Sequence, residues 1–141
     1  MYLLDTNVVS ELRKVRIGKA NARVAGWSDS VDAASLFISA VTLLELEIGV
    51  LLMERKDPAQ GRPMRTWLDE HVRPTFHLRM FPIDEAVALQ CARLHIPNPR
   101  PERDAMIAAT ALVHSMTVVT RNLKDFAGTG AAAISPWEDR S

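Results

Sequence analysis

Four carboxylic acids stand where a chemically active site would need them. Asp5 ends the apolar run Tyr2-Leu3-Leu4, Glu45 lies one helical turn beyond Leu36-Phe37-Ile38-Ser39, and Asp125 lies one turn beyond Thr117-Val118-Val119-Thr120. Asp104 sits at the start of a predicted helix that leads into that last run. Small hydroxyl and amide residues accompany them: Thr6, Asn7, Ser39, Thr120 and Asn122. Carboxylates gathered at one point repel one another unless a cation neutralises them. Oxygen-only ligation suits Mg²⁺ or Mn²⁺, and small polar neighbours can orient the acids or a bound water. Acids with such an ion, and no activated Ser or Cys nucleophile, point to metal-activated water attacking a phosphodiester. Each acid also has a purely structural role open to it. Thr42-x-x-Glu45 has the form of a capping box, and Asn122-x-x-Asp125 is a looser version. Asp104 complements a helix dipole, and Asp5, Thr6 or Asn7 can cap the helix that follows.

The elements that must position these acids are short apolar strands alternating with helices. Strands are expected at Tyr2–Leu4, Leu36–Ser39, Met80–Ile83 and Thr117–Thr120, with a last edge strand at Ala133-Ile134. Pro82 cannot donate to a ladder, which assigns the third run to a sheet edge. Helices are expected from Asn7, over Val41–Arg55, over Asp57–Arg73 with a break or delay at Gly61 and Pro63, from Asp84 to His95, and from Pro101 to Ser115. Leu44, Ile48, Leu51 and Leu52 recur at helical spacing. Buried strands alternating with helices predict an α/β fold with a central parallel sheet flanked by helices. In such sheets ligands bind beyond the carboxyl ends of the strands, which brings Asp5, Glu45 and Asp125 to one edge; the topology alone leaves the end occupied by Asp104 open.

Composition narrows the rest. The 141 residues are 48% apolar and 24% charged, with 17 basic and 17 acidic side chains, so a single globular domain spanning 1–141 is expected. A net charge of zero excludes a bulk polycation that grips nucleic acid by charge alone. The stretch from Arg13 to Arg23 nonetheless holds five basic residues and no acid, and Arg13 and Lys14, with Arg121, are the candidates for holding a phosphodiester backbone. One cysteine, Cys91, excludes an internal disulfide, fits a reducing compartment, and reads as buried filler. No apolar stretch approaches a membrane span, and a cytoplasmic location is expected. Phosphate-binding Gly loops, His-Glu-x-x-His and Cys-rich zinc spacings are absent. His71, His77, His95 and His114 read as surface or helix-end residues, and Trp27, Trp67 and Trp137 as packing anchors.

The motifs together resemble a known family. Asp5-Thr6-Asn7 after the first strand, Ile38-Ser39-Ala40-Val41-Thr42-Leu43-Leu44-Glu45-Leu46-x-x-Gly49, Asp104-Ala105-Met106-Ile107-Ala108-Ala109-Thr110-Ala111, Thr120-Arg121-Asn122-Leu123-Lys124-Asp125-Phe126 and Ser135-Pro136-Trp137 follow the order of PIN-domain ribonucleases, most like the VapC-type toxins and their FitB-like branch. The resemblance implies a PIN fold and a Mg²⁺- or Mn²⁺-dependent endoribonuclease. It makes Asp5, Glu45 and Asp104 the core acids and Asp125 or Asn122 the fourth site group, with Asp5, Asp104 and Asp125 as expected metal ligands and Thr6, Asn7, Thr120 and Asn122 as support. It also implies a homodimer and a VapB/FitA-like antitoxin whose tail enters the acidic site. The groove for that tail is expected on the Val41–Arg55 and Asp57–Arg73 helices, among Leu43, Leu46, Val50, Met53 and Met64. Two other readings remain: a non-catalytic PIN-like binding module, and an aspartyl-phosphate protein of receiver or phosphatase type using Asp5.

Overall fold

The computed structural model describes residues 1–138. Five parallel strands, β1 (Tyr2–Leu4), β2 (Leu36–Ser39), β3 (Met80–Phe81), β4 (Thr117–Val119) and β5 (Ala133–Ile134), form one sheet in the order β3-β2-β1-β4-β5. Leu3 pairs with Phe37 on one side and Val118 on the other. The two shortest strands are the edges, and Pro82 directly follows β3, as its missing donor requires.

Side chains alternate across the central strands, so each face of the sheet has its own core. Leu4, Ile38 and Val119 pack on one face with Val8, Val9, Trp27, Val50, Leu68 and Phe76. Leu3 and Val118 pack on the other with Ile107, Ala108, Ala111 and Phe126. The first face is covered by α1 (Thr6–Val15), α2 (Ala22–Ser30), α3 (Ala40–Lys56) and α4 (Pro58–Trp67). A five-residue π turn (Leu68–Val72) and α5 (Arg73–Phe76) continue that layer. On the second face, α6 (Glu85–Leu94) packs on α7 (Glu102–His114) through Val87, Cys91, Ala105 and Ala109. Cys91 is buried, as expected of filler.

Of the three candidate caps of α1, Asp5 is the one used, its carboxylate accepting from the Thr6 amide at 2.8 Å. Several other local expectations needed correction. Helix α3 starts at Ala40 and is capped by Ser39, so Thr42 and Glu45 form no capping box. Asn122 makes no side-chain cap to the 3₁₀ turn Leu123–Phe126. Helix α4 runs through both Gly61 and Pro63. At Gly61 α4 passes close to α3: a Cβ there would lie 2.6 Å from the Glu54 Cα. Helix α2 lies in a stretch with no predicted element; the Asn21 side chain caps it and Trp27 anchors it against Tyr2. Trp67 and Trp137 also pack against the core. The histidines lie at helix ends or on the surface, except that His114, in the last turn of α7, stacks on Phe81 with ring centroids 3.9 Å apart.

Candidate active site

The chain direction of each element explains where the acids meet. β1 and β4 are adjacent and parallel, so the residues that follow them, Asp5 and Thr120, emerge side by side. The Asp5 amide extends the ladder by donating to the Val119 carbonyl at 2.8 Å. The Thr120 hydroxyl then donates to Asp5 Oδ2 at 2.8 Å, and Asn7 Nδ2 donates to the same oxygen at 3.2 Å. Asp5 is only 7% exposed, and Thr120 is fully buried. Burial pushes the Asp5 carboxyl above its ordinary range; the bonds from Thr120 and the Thr6 amide pull it back, and the charges of Glu45 and Asp125 push it up again.

Glu45 comes from the second turn of α3. The Thr6 hydroxyl donates to Glu45 Oε1 at 2.8 Å and lies in hydrogen-bond contact, at 3.2 Å, with the fully buried Thr42 hydroxyl, from which it can accept. Thr42 is thus a support residue that its reading as a cap concealed. The available signal was spacing: positions 42 and 45 share one helix face. The other Glu45 oxygen faces the Arg103 guanidinium at 3.7 Å.

Asp104 is settled by the direction of α7. A helix that feeds a parallel strand runs back across the sheet, so its first turn lies at the strands' carboxyl end. Asp104 is half-buried, and its carboxyl is pushed up to about 6, first by burial and then by the charges of Asp5, Asp125 and Glu45. The four acids therefore share one electrostatic neighbourhood. Among the described residues, no three Asp, Glu, His or Cys side chains are gathered closely enough to grip an ion together as they stand. The donor set is nonetheless one of hard oxygens, and the mutual repulsion is the kind a divalent cation relieves, so the residues fit such an ion.

Asn7 and Asn122 tie the rim together. Asn7 Oδ1 accepts from the Arg121 amide at 3.2 Å, and the Asn122 amide donates to the Thr120 hydroxyl at 3.0 Å. Arg121 is thereby held beside the site, its guanidinium over the Trp137 ring. Arg13 and Lys14 are not brought there. They occupy the last turn of α1, about 12 Å along the axis from Asp5. Arg13 stacks over Trp67, and Lys14 pairs with Glu11 at 3.2 Å.

Known proteins share this fold. The sequence model of the PIN domain matches residues 2–131. The chain belongs to the PIN-domain family. Within it, the chain is 35% identical to Toxin FitB of Neisseria gonorrhoeae, covering 99% of this chain and 100% of that protein. It is 34% identical to VapC ribonuclease Y4jK of Sinorhizobium fredii, covering 98% and 99%. Among solved structures it is similar to FitAB bound to an IR36 DNA fragment, with a TM-score of 0.88 and 33% identity over 100% of this chain and 99% of that one. A similar match is the crystal structure of FitAcB from Neisseria gonorrhoeae, with a TM-score of 0.87 and 34% identity over 99% and 100%. Ribonucleases of the PIN family depend in general on a divalent metal. No helix among the described residues is long and apolar enough to cross a membrane.

Proposed function

We propose that this chain is the toxin of a toxin–antitoxin pair and cuts RNA as a Mg²⁺- or Mn²⁺-dependent endoribonuclease. The observation that carries the reading is the electrostatic coupling of Asp5, Glu45, Asp104 and Asp125 at the carboxyl edge of the sheet. Asp5, Asp104 and Asp125 would hold the ion, with Glu45 completing the acidic set. The ion, when bound, supplies a water made acidic enough to attack and a positive charge for the phosphate oxygens.

The protein's own residues do the rest. Thr120 and Asn7 fix the Asp5 carboxylate in one orientation. Thr6 fixes Glu45 and thereby couples α1 to α3. Arg121, steered by Asn7, is available to the RNA backbone at the rim. Arg13 and Lys14 are better suited to RNA that extends beyond the cleavage site, because they lie at the far end of α1.

The relatives crystallised as FitAB and FitAcB support a small antitoxin as partner. Leu46 and Val50 are buried core residues, which withdraws them from the expected groove. A cleft of about 540 Å³ lies between the end of α1 and α4, with Arg13, Arg16, Arg62 and Trp67 in its walls. A single PIN domain over 1–141, a homodimer and a cytoplasmic location complete the proposal. The aspartyl-phosphate reading is disfavoured because a phosphatase of that type needs a second Asp two residues after Asp5, where Asn7 stands, and the presence of every core acid disfavours a non-catalytic module.

The test is cleavage of RNA by wild type and Asp5→Asn, each with Mg²⁺ and with EDTA. Asp5→Asn removes one of the groups that would hold the ion and should cleave far more slowly than wild type in Mg²⁺. Equal cleavage by the two proteins, or cleavage indifferent to EDTA, overturns the reading.

A further inference from the structure

Asp104 and Asp125 reach the site from segments that have no strand or helix in common. One opens α7, behind the connector 97–101; the other rides on the 3₁₀ turn Leu123–Phe126. Their charges oppose one another, so something has to hold the two segments together. From the inside, Phe126 does so: it is buried in the same core as Ile107 and Ala108 of α7. From the outside there is a further attachment. Arg100, in the connector four residues before Asp104, donates from Nη1 to the Ala127 carbonyl at 3.0 Å. The Arg100 backbone is itself fixed, its amide donating to His95 Nδ1 at 3.1 Å.

The turn is shaped to receive this guanidinium. Gly128 follows Ala127 with φ +77°, and a Cβ at that position would lie 2.9 Å from Arg100 Nη2. The glycine therefore meets two demands, a left-handed backbone and an open face toward Arg100. Gly130, two residues on, has a similar φ of +84°, but a Cβ there would meet only Leu112 Cδ2 at 3.8 Å. The close approach belongs to Gly128.

We propose that Arg100 is a positioning residue for the metal site: it clasps the Asp125 turn to the start of α7 through Ala127, in a recess left open by Gly128. The proposal rests on the reading of Asp104 and Asp125 as metal ligands. Arg100 acts through the two acids and touches neither substrate nor ion. Groups that orient metal ligands from behind typically change affinity by roughly 10- to 100-fold when removed. Because Phe126 still anchors the turn, loss of Arg100 should loosen it without unfolding it.

The experiment is calorimetric titration of the metal-free, full-length protein with Mn²⁺, with a thermal melt of each variant beside it. Arg100→Ala is expected to bind Mn²⁺ about tenfold more weakly. Arg100→Lys keeps the charge but loses the planar fork, so it should fall between Arg100→Ala and wild type. Gly128→Ala pushes the guanidinium away and should reproduce Arg100→Ala. Gly130→Ala carries the same left-handed strain without touching Arg100, so it should lower the melting temperature and leave the Mn²⁺ affinity at the wild-type value. If Arg100→Ala does not fold, Gly128→Ala and Arg100→Lys carry the comparison. Wild-type affinity in these variants, together with weakened binding in Asp125→Asn, overturns the clasp and leaves the metal site standing. Wild-type affinity in Asp125→Asn overturns the role of Asp125 as a ligand, and the clasp with it.

Discussion

Replacing Asp104 by Asn should change how the metal-free protein responds to pH. In the folded chain this carboxyl is pushed from 3.8 up to about 6, by burial first and then by Asp5, Asp125 and Glu45. Between those values the native state holds a proton that the unfolded chain has released, so stability falls as pH rises through the window and stays low above it. At 1.36 kcal/mol per unit the shift corresponds to about 3 kcal/mol. Asp104 is only half-buried, and solvent screening reduces that to about 1–2 kcal/mol. Urea denaturation of metal-free protein from about pH 4 to about pH 7 measures it directly. Wild type should lose about 1–2 kcal/mol more than Asp104→Asn across the window. A divalent cation binds the ionised form, so Mg²⁺ should restore wild-type stability at the upper end of the range. At a concentration about 100 times its Kd the gain would be about 2.7 kcal/mol, and Asp104→Asn should gain less. Parallel pH profiles for the two metal-free proteins would refute the account, because they would mean that neither burial nor the other acids raise the Asp104 carboxyl.

Other consequences can be tested alongside. Thr120→Val removes the hydroxyl that donates to Asp5 and accepts from Asn122; Mn²⁺ affinity measured by calorimetry should drop by roughly 10- to 100-fold, with a loss of about 1–3 kcal/mol in denaturation. Thr6→Val frees Glu45 and should lower RNA cleavage more than it lowers melting temperature. Gly61→Ala forces α3 and α4 apart at Glu54 and should cost about 1–3 kcal/mol in urea denaturation, while the Mn²⁺ affinity of the folded protein stays unchanged.

Much of this architecture is legible in the sequence because a parallel sheet writes plainly. Its strands are continuous apolar runs, and acids at the end of a run or one turn beyond it are site candidates, which is how Asp5, Glu45 and Asp125 stand out. Asp104 is harder, since its place depends on the direction of a helix rather than the end of a strand. Helix α2 hides because Gly26, Ser28 and Asp29 dilute its pattern; it is held by the Asn21 cap and by Trp27. Thr42-x-x-Glu45 misleads because the cap it imitates is already provided by Ser39, which frees both side chains to meet Thr6. The Arg100 bond joins residues 27 apart through a carbonyl, and a backbone acceptor leaves no trace in residue type. The one local hint is Gly128.

The two-residue edge strands also limit how copies of this chain can associate. A newcomer pairing with β3 or β5 would find only a short row of free backbone groups, and at β3 the next residue, Pro82, has no N–H to offer. Growth of the sheet from one molecule into the next is therefore discouraged at both ends. Any lasting self-association has to be built from helix surfaces. There α3 presents Leu44, Leu51 and Leu52, each at least 50% exposed, so a dimer assembled on that face would leave the backbone ladders of both sheets intact.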